Sequence, residues 1–252
     1  MISLKTNNWQ IDNIENIIFD KDGTFIDLHY FWGEITKLRV KEVINRFNIN
    51  QNHFYNLCLC LGYDTNRQKM LADGITAMYS RKKIIEIFRN NLQDYNVNTT
   101  EQKIENIFDC VSAEFYKNIE DYTKPIKSAI EFIDKLYSIG IKMGIVTSDS
   151  VESTNLTLKQ FNWEKYFACV IGRESSPHTK ESGEPTKLAL QKLNAKPENT
   201  IMIGDAPMDY ISAKNAGINR TILVATGQID KPKLSETSQY TVDDLSEISI
   251  LL

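Results

Sequence analysis

The stretch IIFDKDGT, residues 17–24, decides the fold that the sequence predicts. Its apolar start is typical of a buried strand, and that strand ends abruptly in two aspartates, a glycine and a threonine. In an open α/β sheet, ligands bind outside the carboxyl ends of the strands, so Asp20 and Asp22 are candidates for a functional site. In an extended chain both begin on one face, where two carboxylates need a cation or a shared proton. By itself, the stretch also fits an ordinary strand followed by an Asp-Gly turn.

Length and composition restrict what this strand can belong to. A chain of 252 residues is either one large α/β domain or a core with a smaller inserted domain. The formal net charge is -4 at pH 7, so no overall basic field is present to hold a nucleic acid. No uninterrupted apolar run approaches the ~20 residues of a membrane span. We therefore expect a soluble, cytoplasmic protein with neither a nucleic acid nor a membrane as its partner.

The four cysteines follow neither the pattern of a zinc site nor that of a disulfide framework. Cys58 and Cys60 lie in the apolar segment NLCLCL, residues 56–61, which is typical of a buried helix. Free cysteines in such segments usually act as small hydrophobic side chains. We expect no metal or redox role for them.

Residues 27–124 carry a helical pattern almost throughout. Their apolar residues recur at helical spacing, for example at Val40, Val43, Ile44 and Phe47. About a hundred residues without a strand pattern are too many for a loop within a compact domain. The sequence therefore predicts an inserted all-helical domain at 27–124 and a core domain made of 1–26 and 125–252.

After residue 125 the sequence alternates between strands and helices. Apolar runs typical of buried strands lie at 141–146, 168–172, 200–203 and 221–224, and helical patterns lie between them. Such alternation predicts an α/β fold with a doubly wound parallel sheet, which the strand before Asp20 joins.

Polar side chains follow several of these strands or lie in the loops between them. They are Thr147, Ser148, Lys180, Asp205 and Asp209. Because the carboxyl ends of parallel strands meet at one edge of a sheet, we expect these side chains to converge with Asp20 and Asp22.

With these signatures the chain resembles the haloacid dehalogenase superfamily of hydrolases, in the phosphoglycolate-phosphatase-like branch that carries a helical C1-type cap. The four signatures of the family occur in the family's order and cover the core from Ile17 to Gly227. They are DKDGT at 20–24, the apolar strand ending in Thr147, Lys180, and Gly204-Asp205 with Asp209. The resemblance implies a Rossmann-like core, with residues 27–124 as the cap.

The resemblance also implies catalytic roles. Asp20 would be the nucleophile that forms an aspartyl-phosphate, and Asp22 would be the general acid and then the general base. Thr147 and Lys180 would hold the phosphoryl oxygens, with Ser148 beside them in the substrate site.

A Mg²⁺ site is implied as well. Asp20, the backbone carbonyl of Asp22 and Asp205 would supply the hard oxygen ligands that magnesium prefers, and Asp209 would orient the metal shell. Lys21 lies between the two aspartates and points the other way in an extended chain. We expect it to do nothing chemical.

The signature around Lys180 departs from the family's pattern. The family often shows Lys-Pro-x-Pro, whereas this chain reads KESGEP from Lys180 to Pro185. Lys187, one turn into the following helix, is the alternative. The spacing from Pro185 favours Lys180.

The residue types favour a phosphatase among the members of this superfamily. Dehalogenases and phosphonate-cleaving members lack the second carboxylate, so Asp22 indicates an oxygen leaving group that needs a proton. We expect a magnesium-dependent phosphatase that hydrolyses a small phosphomonoester such as phosphoglycolate or a sugar phosphate. A phosphosugar mutase of the same superfamily and a non-catalytic phosphate-binding relative are the alternatives.

The cap is expected to close over the phosphate and to set specificity. His29 is a candidate for substrate contact, whereas the aromatic residues Tyr30, Phe31 and Trp32 are expected to pack inside the fold. For the assembly we expect a monomer or a homodimer.

Overall fold

A computed structural model describes the whole chain, residues 1–252. The strands are β1 (Ile2–Lys5), β2 (Gln10–Ile14), β3 (Asn16–Phe19), β4 (Tyr63–Asp64), β5 (Lys69–Met70), β6 (Lys142–Val146), β7 (Cys169–Ile171), β8 (Thr200–Gly204), β9 (Thr221–Val224), β10 (Thr241–Val242) and β11 (Ser249–Leu251). The helices are α1 (Leu28–Phe47), α2 (Phe54–Cys60), α3 (Ile75–Met78), α4 (Arg81–Asn91), α5 (Glu101–Lys117), α6 (Lys127–Ser138), α7 (Val151–Gln160), α8 (Glu184–Leu193), α9 (Pro207–Asn215) and α10 (Lys231–Leu234). None of these helices combines the length and the apolar composition that a membrane crossing needs.

Six strands form a parallel sheet in the order β10-β9-β8-β3-β6-β7. Every residue of the central strands β3 and β8 is buried. Parallel strands with this pattern are covered on both faces, which is why their sequences read as continuous apolar runs. The predicted α/β fold with a parallel sheet is confirmed.

One face of this sheet packs against α8 and α9. Ile18, Val146 and Met202 of the sheet share a buried cluster with Leu190 of α8 and Ala213 of α9. Burying a side chain of the size of Leu or Ile stabilises a fold by roughly 1.5–3 kcal/mol, so this cluster holds the central strands firmly. The strand ends beside it are therefore well fixed.

The two ends of the chain form a second sheet that the sequence pattern did not predict. Its order is β11-β1-β2 and both pairings are antiparallel. Leu4 is fully buried there, opposite Ile250 on one side and Ile11 on the other.

The chain divides into two compact units, Met1–Asp27 with Lys124–Leu252, and Leu28–Thr123. Each junction differs by one residue from the predicted domain bounds. In the second unit, buried apolar residues of α1, α4 and α5 form one core. They include Val40, Val43, Ile44, Phe88, Ile104 and Phe108.

The second unit also contains strands, which corrects the prediction of an all-helical domain. The two-residue strands β4 and β5 pair as an antiparallel ribbon, with Tyr63 opposite Met70. A strand of two residues shows no alternation of apolar and polar residues, so a periodicity analysis does not detect it.

The cysteines are all free, and two of them lie in α2. Cys58 is buried and Cys60 is partly buried. Burial raises the pKa of these thiols to about 12 and about 11 respectively. A thiol with a raised pKa is a poor nucleophile, which agrees with a packing role.

Candidate active site

The parallel register brings three strand ends to one edge of the sheet. Phe19 lies opposite Ile145 of β6 and Ile203 of β8. Asp20 follows directly, and its backbone N–H donates to the carbonyl of Ile203 at 2.8 Å. Thr147 and Asp205 each lie two residues beyond the partners of Phe19, so all three candidate residues start from the same edge.

Lys180 joins two of the aspartates. Its Nζ lies 2.5 Å from Asp20 Oδ1 and 2.6 Å from Asp209 Oδ1, and all three residues are buried. Burial lowers the pKa of Lys180, but the two carboxylates raise it by more, so the ammonium group stays charged. For Asp20, burial raises the pKa by more than Lys180 lowers it, and the result is a pKa of about 7.

Asp20, Asp205 and Asp209 form a cluster of buried carboxylates. One oxygen from each lies within 4.8 Å of the others. Burial, together with repulsion from the other two carboxylates, raises the pKa of Asp205 well above its usual value. When all three carboxylates are ionised, the single ammonium of Lys180 leaves two negative charges uncompensated. Hard carboxylate oxygens with this excess charge fit a divalent cation such as Mg²⁺.

Two glycines leave room for the Asp205 carboxylate. A Cβ atom at Gly23 would lie 2.3 Å from Asp205 Oδ2, and a Cβ atom at Gly227 would lie 1.7 Å from the same oxygen. Neither position accepts a side chain unless the carboxylate moves. The loops after β3 and β9 therefore help to shape the carboxylate cluster.

The start of α9 fixes Asp209. Pro207 lies in the first turn of this helix, where its missing N–H leaves no hydrogen bond unmade. The backbone N–H of Ala206 donates to Asp209 Oδ2 at 3.0 Å, while Asp209 Oδ1 pairs with Lys180. Both carboxylate oxygens are thus held by the protein, which suits the predicted orienting role.

Thr147 is buried at the end of β6, and its Oγ1 accepts a hydrogen bond from the backbone N–H of Asp149 at 3.1 Å. This local bond fixes the oxygen, and the hydroxyl still has one proton to donate. Ser148 follows and is exposed. That these two residues hold phosphoryl oxygens stays a prediction.

Asp22 has a cationic partner different from that of Asp20. Lys21 is fully buried, and its Nζ lies 2.6 Å from Asp22 Oδ1 and 3.2 Å from Asp149 Oδ2. Burial lowers the pKa of Lys21, but the two carboxylates raise it by more. Lys21 is therefore a charged group inside the protein, bound to the proposed acid and base.

The prediction that Lys21 points away from the aspartates is wrong. It assumed an extended chain, but β3 ends at Phe19, and the backbone N–H groups of Phe25 and Ile26 donate to the Lys21 carbonyl in a turn. Side chains do not alternate between two faces in such a turn. Sequence reasoning also missed Asp149, although an aspartate two residues after Thr147 was a signal that could have found it.

The structure separates the two candidate lysines of the third signature. Lys180 is buried beside Asp20, whereas Lys187 lies on the exposed face of α8 and pairs with Glu184 at 2.8 Å. Lys180 begins a short 3₁₀ turn that ends at Gly183, whose φ of 80° is a left-handed conformation that glycine tolerates. This turn brings Lys180 to the site without the family's first proline.

His29 lies in α1, within the unit Leu28–Thr123. The backbone N–H of Met70 donates to its Nδ1 at 3.1 Å. Phe31 is buried and meets Trp32 and Phe115 edge to face in the same unit. The substrate contact expected of His29 stays a prediction.

Curated relatives match along most of the chain. Pyrophosphatase PpaX of Bacillus mycoides is 24% identical over 240 residues, which are 95% of this chain and 97% of the relative. Pyrophosphatase PpaX of Anoxybacillus flavithermus is 26% identical over 205 residues, which are 81% of each chain.

Solved structures share the fold. A predicted phosphoglycolate phosphatase from Haemophilus somnus has a TM-score of 0.71 and 16% identity, with 94% of this chain and 97% of that chain covered. A β-phosphoglucomutase from Clostridium difficile has a TM-score of 0.59 and 17% identity, with 93% and 92% covered. At such low identity the likeness concerns the fold alone.

The family model of haloacid dehalogenase-like hydrolases matches residues 65–224, which is more than half of the chain. The matched range contains Thr147, Lys180, Asp205 and Asp209. The chain is therefore a hydrolase and belongs to the haloacid dehalogenase-like hydrolase family that its motifs predict.

Proposed function

We propose that the chain is a magnesium-dependent phosphatase that hydrolyses a small phosphate compound through an aspartyl-phosphate intermediate. In the first step, an Asp20 carboxylate oxygen attacks phosphorus, and the bond between phosphorus and the leaving oxygen breaks while Asp22 donates a proton to that oxygen. In the second step, Asp22 takes a proton from a water molecule, which attacks the same phosphorus and releases phosphate from Asp20.

One observation carries this proposal: a buried Asp20 lies 2.5 Å from the Lys180 ammonium and clusters with two further buried carboxylates. Phosphoryl transfer spreads negative charge over the phosphoryl oxygens and needs fixed positive charge beside them. Lys180 supplies one such charge. It also orients Asp20, so that the attacking carboxylate does not have to be ordered during the reaction.

The metal is proposed to bind Asp20, Asp205 and the backbone carbonyl of Asp22. Asp209 would orient the site, because its two oxygens are already held by Lys180 and by the backbone of Ala206. When bound, Mg²⁺ would neutralise charge on the phosphoryl oxygens.

The relatives add a candidate substrate to the phosphomonoesters. Both relatives described above are named pyrophosphatases, and they match over 81–95% of this chain. Inorganic pyrophosphate therefore stands beside phosphoglycolate and sugar phosphates as a candidate. The mutase alternative is supported only by the fold that this chain shares with the β-phosphoglucomutase.

A hydrolysis screen tests the proposal. The purified chain would be incubated with Mg²⁺ and a panel that contains pyrophosphate, phosphoglycolate, sugar phosphates and a generic aryl phosphate. We expect phosphate release from at least one of them, and no release with a chelator or with the Asp20→Asn variant. Absence of turnover across the panel by folded protein with Mg²⁺ would overturn the proposed function.

A further inference from the structure

We propose that Lys21 and Asp149 are positioning residues that hold the Asp22 carboxylate in the active site. The inference rests on the proposed function, in which Asp22 gives a proton to the leaving oxygen. Three ion-paired groups, Asp22, Lys21 and Asp149, join the loop after β3 to the loop after β6.

This chain of groups runs from the interior to the rim of the site. The side chains of Lys21 and Asp149 are 0% exposed, whereas that of Asp22 is 12% exposed. Lys21 Nζ reaches Asp22 Oδ1 at 2.6 Å and Asp149 Oδ2 at 3.2 Å. A buried ammonium thus fixes one oxygen of a carboxylate that solvent reaches.

Backbone contacts hold Asp149 in place. Its Oδ1 accepts a hydrogen bond from the N–H of Ser150 at 2.7 Å, and its carbonyl accepts one from the N–H of Arg173 at 2.9 Å. Its own N–H donates to Thr147 Oγ1 at 3.1 Å. The same residue therefore anchors Lys21 and the hydroxyl that is proposed to hold phosphate.

Lys21 is anchored at its backbone too. Its carbonyl accepts hydrogen bonds from the N–H groups of Phe25 at 3.1 Å and Ile26 at 3.2 Å. With both ends of the Lys21–Asp149 pair fixed, little freedom is left to the Asp22 oxygen that Lys21 contacts.

Stability does not by itself account for these buried charges. The free-energy cost of removing an ion pair from water can exceed the electrostatic attraction between its two charges. Apolar residues of similar volume often stabilise a protein as much as a buried ion pair does. A pair of apolar residues, however, could not bind a carboxylate oxygen of Asp22 and hold it in one position. Asp149 also keeps the Lys21 charge paired while Asp22 gives up or takes a proton.

The test compares two substrates whose leaving groups differ in their need for a proton. Phenyl phosphate releases a strongly basic oxygen, whereas dinitrophenyl phosphate releases a weakly basic one that departs without help. The measured quantity is kcat/KM, which reports the steps up to loss of the leaving group. The variant is Lys21→Met/Asp149→Asn, because it removes both buried charges together and leaves neither unpaired. Lys187→Met/Glu184→Gln removes an exposed ion pair and is the matched control.

We expect the double variant to lose about tenfold or more in kcat/KM with phenyl phosphate and much less with dinitrophenyl phosphate. The control should behave like the wild type with both substrates. In an Asp22→Asn background, the same double substitution should not change the ratio of the two kcat/KM values further, because the positioned group is gone.

An equal loss with both substrates in a folded double variant, or no loss with either, would overturn the positioning role. Thermal melting shows whether the double variant folds. If it does not fold, the single variant Asp149→Asn is tested in the same way. A selective loss with phenyl phosphate would support the positioning role, and an equal loss with both substrates or no loss with either would overturn it. Failure of the proposed function is a separate outcome, since the wild type would then release phosphate neither from these two substrates nor from any other compound of the screening panel.

Discussion

The chemistry of Asp20 is decided by its neighbours. Burial raises its pKa to about 7, with Lys180 opposing this effect and Asp209 adding to it. An aspartate that attacks phosphorus has to be ionised, and Lys180 alone does not restore an ordinary pKa. A divalent cation beside Asp20 would favour the ionised form. A metal bound at Asp20 would therefore keep the proposed nucleophile ionised.

Replacing Lys180 tests its proposed role toward phosphate. Lys180→Met removes the ammonium from between Asp20 and Asp209, and we expect kcat to fall by about 100-fold or more. Lys187→Met is the matched control, because its partner Glu184 is an exposed neighbour and such pairs contribute little. Steady-state kinetics on the substrate found by the screen measures both. A Lys180→Met protein that is folded and as active as Lys187→Met would contradict the assignment.

The loop after β9 leaves space at Gly227 for the Asp205 carboxylate. A Cβ atom at Gly227 would lie 1.7 Å from Asp205 Oδ2, so Gly227→Ala forces the carboxylate to move. Because Asp205 is proposed to bind Mg²⁺, we expect Mg²⁺ affinity to fall by about tenfold or more. Calorimetric titration with Mg²⁺ measures it.

Gly140→Ala is the control for this prediction. Gly140 has a φ of 80° and nothing within 4 Å of its Cβ position, so alanine there strains the backbone far from the carboxylate cluster. It should lower the melting temperature while Mg²⁺ affinity stays the same. Equal Mg²⁺ affinities for Gly227→Ala and the wild type would contradict the steric argument.

At the scale of the whole chain, a hydrogen bond links the C-terminal segment to α6. Ser128 Oγ donates to Asp244 Oδ2 at 2.6 Å across 116 residues of sequence. Burial raises the pKa of Asp244, but hydrogen bonds from Ser128 and Ser246 lower it by more, so it lies below its usual value. A lowered carboxyl pKa means that the stabilisation is present above the unfolded pKa and is lost as pH falls through the folded pKa.

Ser128→Ala should therefore lower the free energy of unfolding by about 1 kcal/mol at neutral pH, the usual net value of one hydrogen bond. The difference from the wild type should narrow as the pH falls below the ordinary aspartate pKa of about 4. Urea unfolding at several pH values measures it. Ser138→Ala is the control, since that hydroxyl makes only a local exposed bond, to the Lys135 carbonyl. If the difference in the free energy of unfolding between Ser128→Ala and the wild type grew at low pH, the lowered pKa of Asp244 would be contradicted.

The parts of the fold with regular periodicity were predictable, and the parts built by short strands or turns were not. The runs ending at Phe19, Val146 and Gly204 are buried on both faces, so they stand out as apolar runs. The ribbon of Tyr63 and Met70 has strands too short to show a period. At the site, residues that follow a strand directly were predictable, but Lys21 lies in a turn where alternation no longer applies.

We propose that Asp20 forms a covalent phosphoenzyme. The test uses Asp22→Asn, which lacks the base proposed for the second step, with Mg²⁺ and dinitrophenyl phosphate, whose leaving group needs no proton. After acid quenching, borohydride converts an aspartyl-phosphate to homoserine, and peptide mass spectrometry locates it. We predict homoserine at position 20 and none in a protein that also carries Asp20→Asn. Release of dinitrophenol with no modification at Asp20, or with homoserine at another aspartate, would show that Asp20 is not the nucleophile.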